Sequence, residues 1–193
     1  MSSHGPLTLV PSVFDRGGAA DADSPVDDAP LAAWFDSFDP GRERTRAELE
    51  LLVGDLAGRP DLWRRYVLHD AEQRHYVRLA AGAQAEVWLI CWCPSQETGF
   101  HDHAGSRGAV AVVEGALAET LLAVGGVNPR REFAAGSRFS FGAAHIHDVQ
   151  HAGGSPATSL HAYSPPLAEM GFYDIAGDGS LRRRSGGYRE EFC

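Results

Sequence analysis

The chain has 193 residues, a net charge of −9 and 44% hydrophobic content, enough for one domain with a sizeable core. The acidic balance argues against nucleic acid or an anionic membrane surface as a partner. All 17 basic residues are arginine, which excludes lysine Schiff-base chemistry and a P-loop lysine and leaves groups suited to binding carboxylates. Residues 1–30 are rich in Gly, Ala, Asp, Ser and Pro and are expected to form a flexible arm. Leu31 to Asp36 reads as a short helix burying Leu31, Trp34 and Phe35. A stronger helix begins near Thr45, carries the apolar stripe Leu49, Leu51, Leu52 and Leu56, and stops at Gly58 and Pro60. Asp61 is expected to cap a further turn or two through Leu62, Trp63 and Tyr66, with Arg64 and Arg65 outward.

Beyond Gln73 the hydrophobic period changes to two. Strand-like runs cover His75–Leu79, Glu86–Cys93, Gly108–Glu114, Leu117–Val124, Glu132–Phe133, Arg138–Phe141, His145–Val149 and Thr158–Tyr163, separated by Gly-, Pro- and Asn-bearing turns. Many short strands at such intervals predict a mainly β protein, a barrel or jelly roll with a small N-terminal helical cap. The expected division is helices over 31–72 and barrel over 73–176, within a single domain of 31–193. The Gly- and Arg-rich tail from Gly177 carries no clear pattern, and there is no internal repeat. Three cysteines, Cys91, Cys93 and Cys193, make no disulfide framework and favour a reducing compartment. Cys91 and Cys93 share a strand face and read as buried thiols rather than soft metal ligands. Without a signal-peptide pattern or a membrane-length run, a cytoplasmic protein is expected, a monomer that binds neither nucleic acid nor membrane.

The polar chemistry lies in rows spaced by two: Tyr76-x-Arg78, His101-x-His103, His145-x-His147 and Ser159-x-His161-x-Tyr163. On a strand each row shares one face, so His101 and His103 can hold one metal ion. Four rows turned into one barrel would build a site, because inward polar groups must satisfy one another or bind something. His145 and His147 face the same way, and strand parity alone does not choose between them.

The spacing around these rows resembles the two cupin motifs. His101-x-His103 is followed by Gly108 and Gly115 in the first; Gly136, Gly142, Ala144, His147 and His151 keep the spacing of the second, with Ser95 where the first motif begins with glycine. Gly108 stands where the first motif carries its glutamate ligand, so a carboxylate ligand is missing. With Ser159-Leu160-His161-Ala162-Tyr163-Ser164-Pro165-Pro166 downstream, and with Tyr76-x-Arg78, Cys91-Trp92 and His147-x-Val149, residues 61 to 175 resemble the thiol dioxygenase family, and within it the cysteine dioxygenases.

The resemblance implies a cupin β-barrel and Fe(II) held by His101, His103 and His147, the motif spacing favouring His147 over His145. It implies Arg78 on the substrate carboxylate with Tyr76 in support, where relatives acting on 3-mercaptopropionate carry glutamine in place of the arginine. Ser159, His161 and Tyr163 would form the outer relay next to substrate and O2. The implied reaction is dioxygenation of L-cysteine to cysteine sulfinic acid, a step of cysteine catabolism. Another small thiol such as 3-mercaptopropionate or mercaptosuccinate stays as the alternative, as does a metal-binding cupin without catalysis. Animal members carry at the Gly108 position a cysteine linked to the tyrosine matching Tyr163. Here that crosslink cannot form, and Tyr163 is expected to be an ordinary, more mobile phenol. A cis peptide is expected in Ser164-Pro165-Pro166, Met170 could wall the pocket, and His151 is expected in a supporting or loop position.

Overall fold

The computed structural model describes residues 24–123, 126–175 and 180–187. Most of the expected N-terminal arm, residues 1–23, lies outside them, as does Cys193. Three short helices precede the sheets: α1 (Ala29–Ser37), α2 (Arg46–Ala57) and α3 (Pro60–Trp63), the last running into a 3-10 turn at Arg64–Tyr66. α2 starts on a capping box in which the Thr45 side chain and the Glu48 side chain each satisfy the other's backbone N–H. It buries Leu49, Leu52, Val53 and Leu56, whereas Leu51 points to solvent. The stripe therefore runs through Val53 instead of Leu51, as a 3.6-residue period from Leu49 demands. Asp61 does not cap α3: Arg59 is the N-cap, with no side-chain bond, and Asp61 sits in the first turn behind Pro60.

Eleven strands follow among the described residues: β1 (Tyr76–Ala81), β2 (Glu86–Trp92), β3 (His101–Asp102), β4 (Arg107–Glu114), β5 (Ala116–Leu121), β6 (Arg130–Ala134), β7 (Arg138–Phe141), β8 (His147–Ala152), β9 (Ala157–Ser164), β10 (Met170–Ile175) and β11 (Leu181–Gly186). They form two antiparallel sheets, in the orders β1-β2-β9-β4-β7 and β11-β10-β3-β8-β5-β6. This is the cupin jelly roll. Gly115 makes the tight turn between β4 and β5 at φ +68, where a Cβ would meet the Pro156 carbonyl oxygen at 2.5 Å.

The inner strands of the five-stranded sheet, β2, β9 and most of β4, are buried on both faces, which is why β2 reads as a nearly continuous apolar run. The sheet's outer residues, Val87, Leu89, Ala109, Ala111, Leu160 and Ala162, pack with Trp34, Leu49, Leu52 and Leu56 of the helical cap. The inner ones, Trp88, Ile90, Trp92, Val110 and Tyr163, pack with Leu117, Val149, Met170 and Phe172 of the second sheet. At about 25 cal/mol per Å² of apolar surface, these two layers hold the barrel closed. β10 and β11 extend the second sheet past the region where the sequence shows strand periodicity. Gly171 permits this: a Cβ there would strike the Arg183 Nε and the Asp102 Oδ2, each at 2.3 Å. Ser164–Pro165 is cis, as expected.

Candidate metal centre

Sheet register brings the histidines together. His101 on β3 lies directly opposite His147 on β8, and His103 follows β3 at a turn where Ala104 has φ +46. One nitrogen from each of the three imidazoles lies within 4.8 Å of the other two. The rings are buried, with centroids 4.6 to 5.2 Å apart.

His101 Nδ1 donates to the Gly99 carbonyl (3.0 Å) and His147 Nδ1 to Glu119 Oε1 (3.0 Å), bonds that fix the tautomers offering Nε2. His147 Nε2 and both nitrogens of His103 are buried with no hydrogen-bond partner among the described residues. Burial first, and the neighbouring imidazoles next, hold His101 and His103 well below the usual histidine range; burial also lowers His147. Three neutral imidazoles whose lone pairs converge in a buried pocket fit a metal ion, and among the described residues no carboxylate joins the three.

His145 stands outside this cluster. Its Nε2 lies 2.8 Å from the Glu119 oxygen that also takes His147, and Arg131 Nη2 bonds the other oxygen at 2.7 Å. Glu119, His145 and His147 thus converge as closely as three ligands would, but Glu119 is spent as an acceptor that orients His147. Burial would raise its carboxyl, yet the hydrogen bonds from His145 and His147, with Arg131, hold it far below the usual carboxylate range.

Ser159, His161 and Tyr163 form the expected row on β9. Ser159 Oγ is 2.7 Å from His161 Nε2, and His161 Nδ1 is 3.2 Å from the Tyr163 hydroxyl. Trp92 Nε1 donates to Ser159 Oγ (2.9 Å), a fourth member absent from the sequence reading. Ser159 Oγ, which takes the indole N–H, and the Tyr163 hydroxyl thus bracket the two ring nitrogens of His161. Burial pushes His161 down to about 3, so it is neutral across the physiological range. Tyr163 is 1% exposed, its ring 5.2 Å from His103 and 6.4 Å from Phe141.

Gly108 shows why no crosslink is needed to wall that side. A Cβ there would lie 2.4 Å from Phe141 Cζ, so the phenyl ring occupies the space a side chain would use. Phe141 stacks on His103 (4.6 Å, 24°) and on His145 (5.1 Å, 10°), and meets His147 edge-on. Met170 is fully buried on the same inner face. His151 bonds the Ser155 carbonyl at 2.8 Å, away from the cluster.

Tyr76 and Arg78 lie on the inner face of β1, beside Trp88: the Tyr76 ring is 6.0 Å from it and the Arg78 guanidinium 5.5 Å. Arg78 Nη2 also pairs with Glu86 Oε2 at 2.5 Å, a partner the sequence reading missed. Asp102, between the two first histidines, points the opposite way. It accepts from Tyr173 (2.5 Å), Arg183 Nε (2.8 Å) and Ala104 N (2.8 Å), tying the metal-side turn to β10 and β11. Arg183 foremost, then Tyr173, keep its carboxyl far below the usual range against the effect of burial. Glu86 and Glu119 were visible as acids on the inner parity of otherwise apolar strands; the partners of Asp102 left no such signal.

A jelly roll that converges three neutral histidines on its inner face offers a candidate metal site. A family model described as cysteine dioxygenase type I matches residues 42–176, most of the chain. The chain belongs to the cysteine dioxygenase type I family. It is similar to the cysteine dioxygenase type 1 of Danio rerio, 26% identical over 142 residues, covering 66% of this chain and 69% of that one. The human cysteine dioxygenase type 1 is 24% identical over 148 residues, covering 69% and 72%. Among solved structures, a cupin superfamily protein from Desulfitobacterium hafniense superposes with a TM-score of 0.46 at 12% identity, over 53% of this chain and 87% of that one. No described helix is long and apolar enough to cross a membrane.

Proposed function

We propose that the protein is an iron-dependent dioxygenase of a small thiol, with L-cysteine as substrate and cysteine sulfinic acid as product. The observation that carries this reading is the three-histidine cluster with Tyr163 against one of its rings, 5.2 Å from His103. His101, His103 and His147 would hold Fe(II). Iron supplies redox chemistry that zinc lacks, and a ligand set of neutral imidazoles leaves coordination positions and positive charge for an anionic thiolate.

The protein's own groups do the rest. Arg78, with Tyr76 in support, takes the substrate carboxylate through a charge-assisted hydrogen bond worth about 1.5–3 kcal/mol. Ser159 and Trp92 hold His161, which holds the Tyr163 hydroxyl with its proton available toward the substrate. Phe141 and Met170 keep water out. The thiol sulfur gives up four electrons to O2 and gains both oxygen atoms, ending at the sulfinic acid without an external reductant. All of these groups come from one chain, so a monomer suffices, and the unpaired thiols suit a reducing cytoplasm.

The test is O2 uptake by the Fe(II)-loaded protein with mass spectrometry of the product, given L-cysteine and 3-mercaptopropionate in parallel. One O2 consumed per cysteine sulfinate, with the other thiol poor, is expected. Preference for 3-mercaptopropionate would overturn the role of Arg78, and no uptake with either would overturn the proposed reaction.

A further inference from the structure

Glu86 is the second charge at the proposed carboxylate pocket. It lies at the start of β2 with no solvent exposure, in register with Tyr163 on β9. Its Oε1 accepts the Leu167 N–H at 2.8 Å, and its Oε2 meets Arg78 Nη2 at 2.5 Å. Both oxygens are thus anchored, one to the chain just past the Ser-Pro-Pro segment and one to the guanidinium. In this pair the side chains are 18% exposed for Arg78 and 1% for Glu86, so water screens the carboxylate little. Any ligand carboxylate on Arg78 must share the guanidinium with a fixed anion a few ångströms away.

We infer that Glu86 is a specificity-determining residue: it biases the site toward thiols whose own ammonium offsets their carboxylate and against anionic and dianionic thiol acids. The inference rests on the proposed thiol chemistry and deepens it, since it names the charge class of the substrate. Coulomb energy grows with ligand charge, so the Glu86 field penalises each added negative charge by a similar increment. A Glu86 that only supported the fold would affect every ligand equally.

The experiment is a charge ladder on the Fe(II)-loaded protein and on Glu86→Gln. The ladder runs from cysteamine (cationic) through L-cysteine (zwitterionic) and 3-mercaptopropionate (anionic) to mercaptosuccinate (dianionic). Two readouts are taken: kcat/KM from O2 uptake, and the ligand-induced shift of the unfolding temperature without O2. Relative to L-cysteine, Glu86→Gln should weaken cysteamine about tenfold and strengthen 3-mercaptopropionate about tenfold, with mercaptosuccinate gaining about a hundredfold, an increment of about 1.4 kcal/mol per charge. Equal changes across the ladder would overturn the inference.

Glu86→Asp, which keeps the charge and shortens the reach, should preserve the wild-type ordering of the ladder. It also serves if Glu86→Gln does not fold, because an ordering lost in Glu86→Asp would overturn the assignment. If the wild type oxidises none of the four thiols, the binding ladder decides alone: a charge-graded change in Glu86→Gln supports Glu86 while the dioxygenase reading falls.

Discussion

Gly108→Ala adds one methyl group where the Phe141 ring already stands. The backbone at Gly108 is not in the left-handed region, so alanine suits the strand and the whole effect is steric. The new Cβ would lie 2.4 Å from Phe141 Cζ and 2.6 Å from Cε2, whereas carbon atoms pack at about 3.5–4.0 Å. The ring must retreat by about 1 Å or more, and it is 2% exposed and held between His103 and His145. Overpacking of this kind costs about 1–3 kcal/mol, which lowers the unfolding temperature by about 2–4 °C per kcal/mol in a domain of this size. Because Phe141 stacks on His103 and meets His147, the same displacement should weaken metal binding. Thermal unfolding of the metal-free protein and competition with a chelator such as EDTA read the two effects separately. Gly108→Ala/Phe141→Leu should recover much of both losses, giving a favourable coupling of about 1 kcal/mol or more. A Gly108→Ala protein within about 0.5 kcal/mol of wild type and with unchanged metal affinity would refute the steric reading.

Glu119→Ala should lower metal affinity about 10–100-fold in chelator competition, because it removes the acceptor that fixes His147; unchanged affinity would mean that Glu119 does not set the tautomer. His161 falls from an ordinary histidine value to about 3 in the fold, so its stabilising contribution is complete above the unfolded value, about 6.5. That contribution is lost as pH falls toward 3, because the unfolded chain binds a proton that the fold refuses. Denaturant titrations between pH 6.5 and 4 should therefore show a shallower loss in His161→Gln, by up to about 1.4 kcal/mol per pH unit; identical slopes would contradict a buried neutral imidazole. Burial pushes the Cys91 thiol up to about 11, so iodoacetamide at pH 8 should leave it unmodified in the native protein and label it only on unfolding.

Much of the molecule was legible in the chain because its signals are local. The helix start near Thr45, the stripe that includes Leu49, Leu52 and Leu56, and the two-residue rows of β1 and β9 each depend on residues a few positions apart. The His101-x-His103 pair and the Ser159-His161-Tyr163 row could each be assigned to one side of the chain by their two-residue spacing alone. What parity could not do was separate His145 from His147, since both face one way. Pairing of β3 with β8 separates them, by setting His147 opposite His101.

Tertiary structure decided everything that rests on residues distant in the chain. Glu86 becomes the partner of Arg78 only when β1 and β2 pair, and Glu119 orients His147 only across the β5–β8 register. The Gly108–Phe141 contact follows from β4 pairing with β7, where the two residues are direct partners. Asp102 binds Arg183 from a strand with no sequence periodicity. Composition and period specify which face of a strand is buried, because that depends on one residue's own solvation. Which charges meet on that face depends on register, which is set by the packing of the whole barrel.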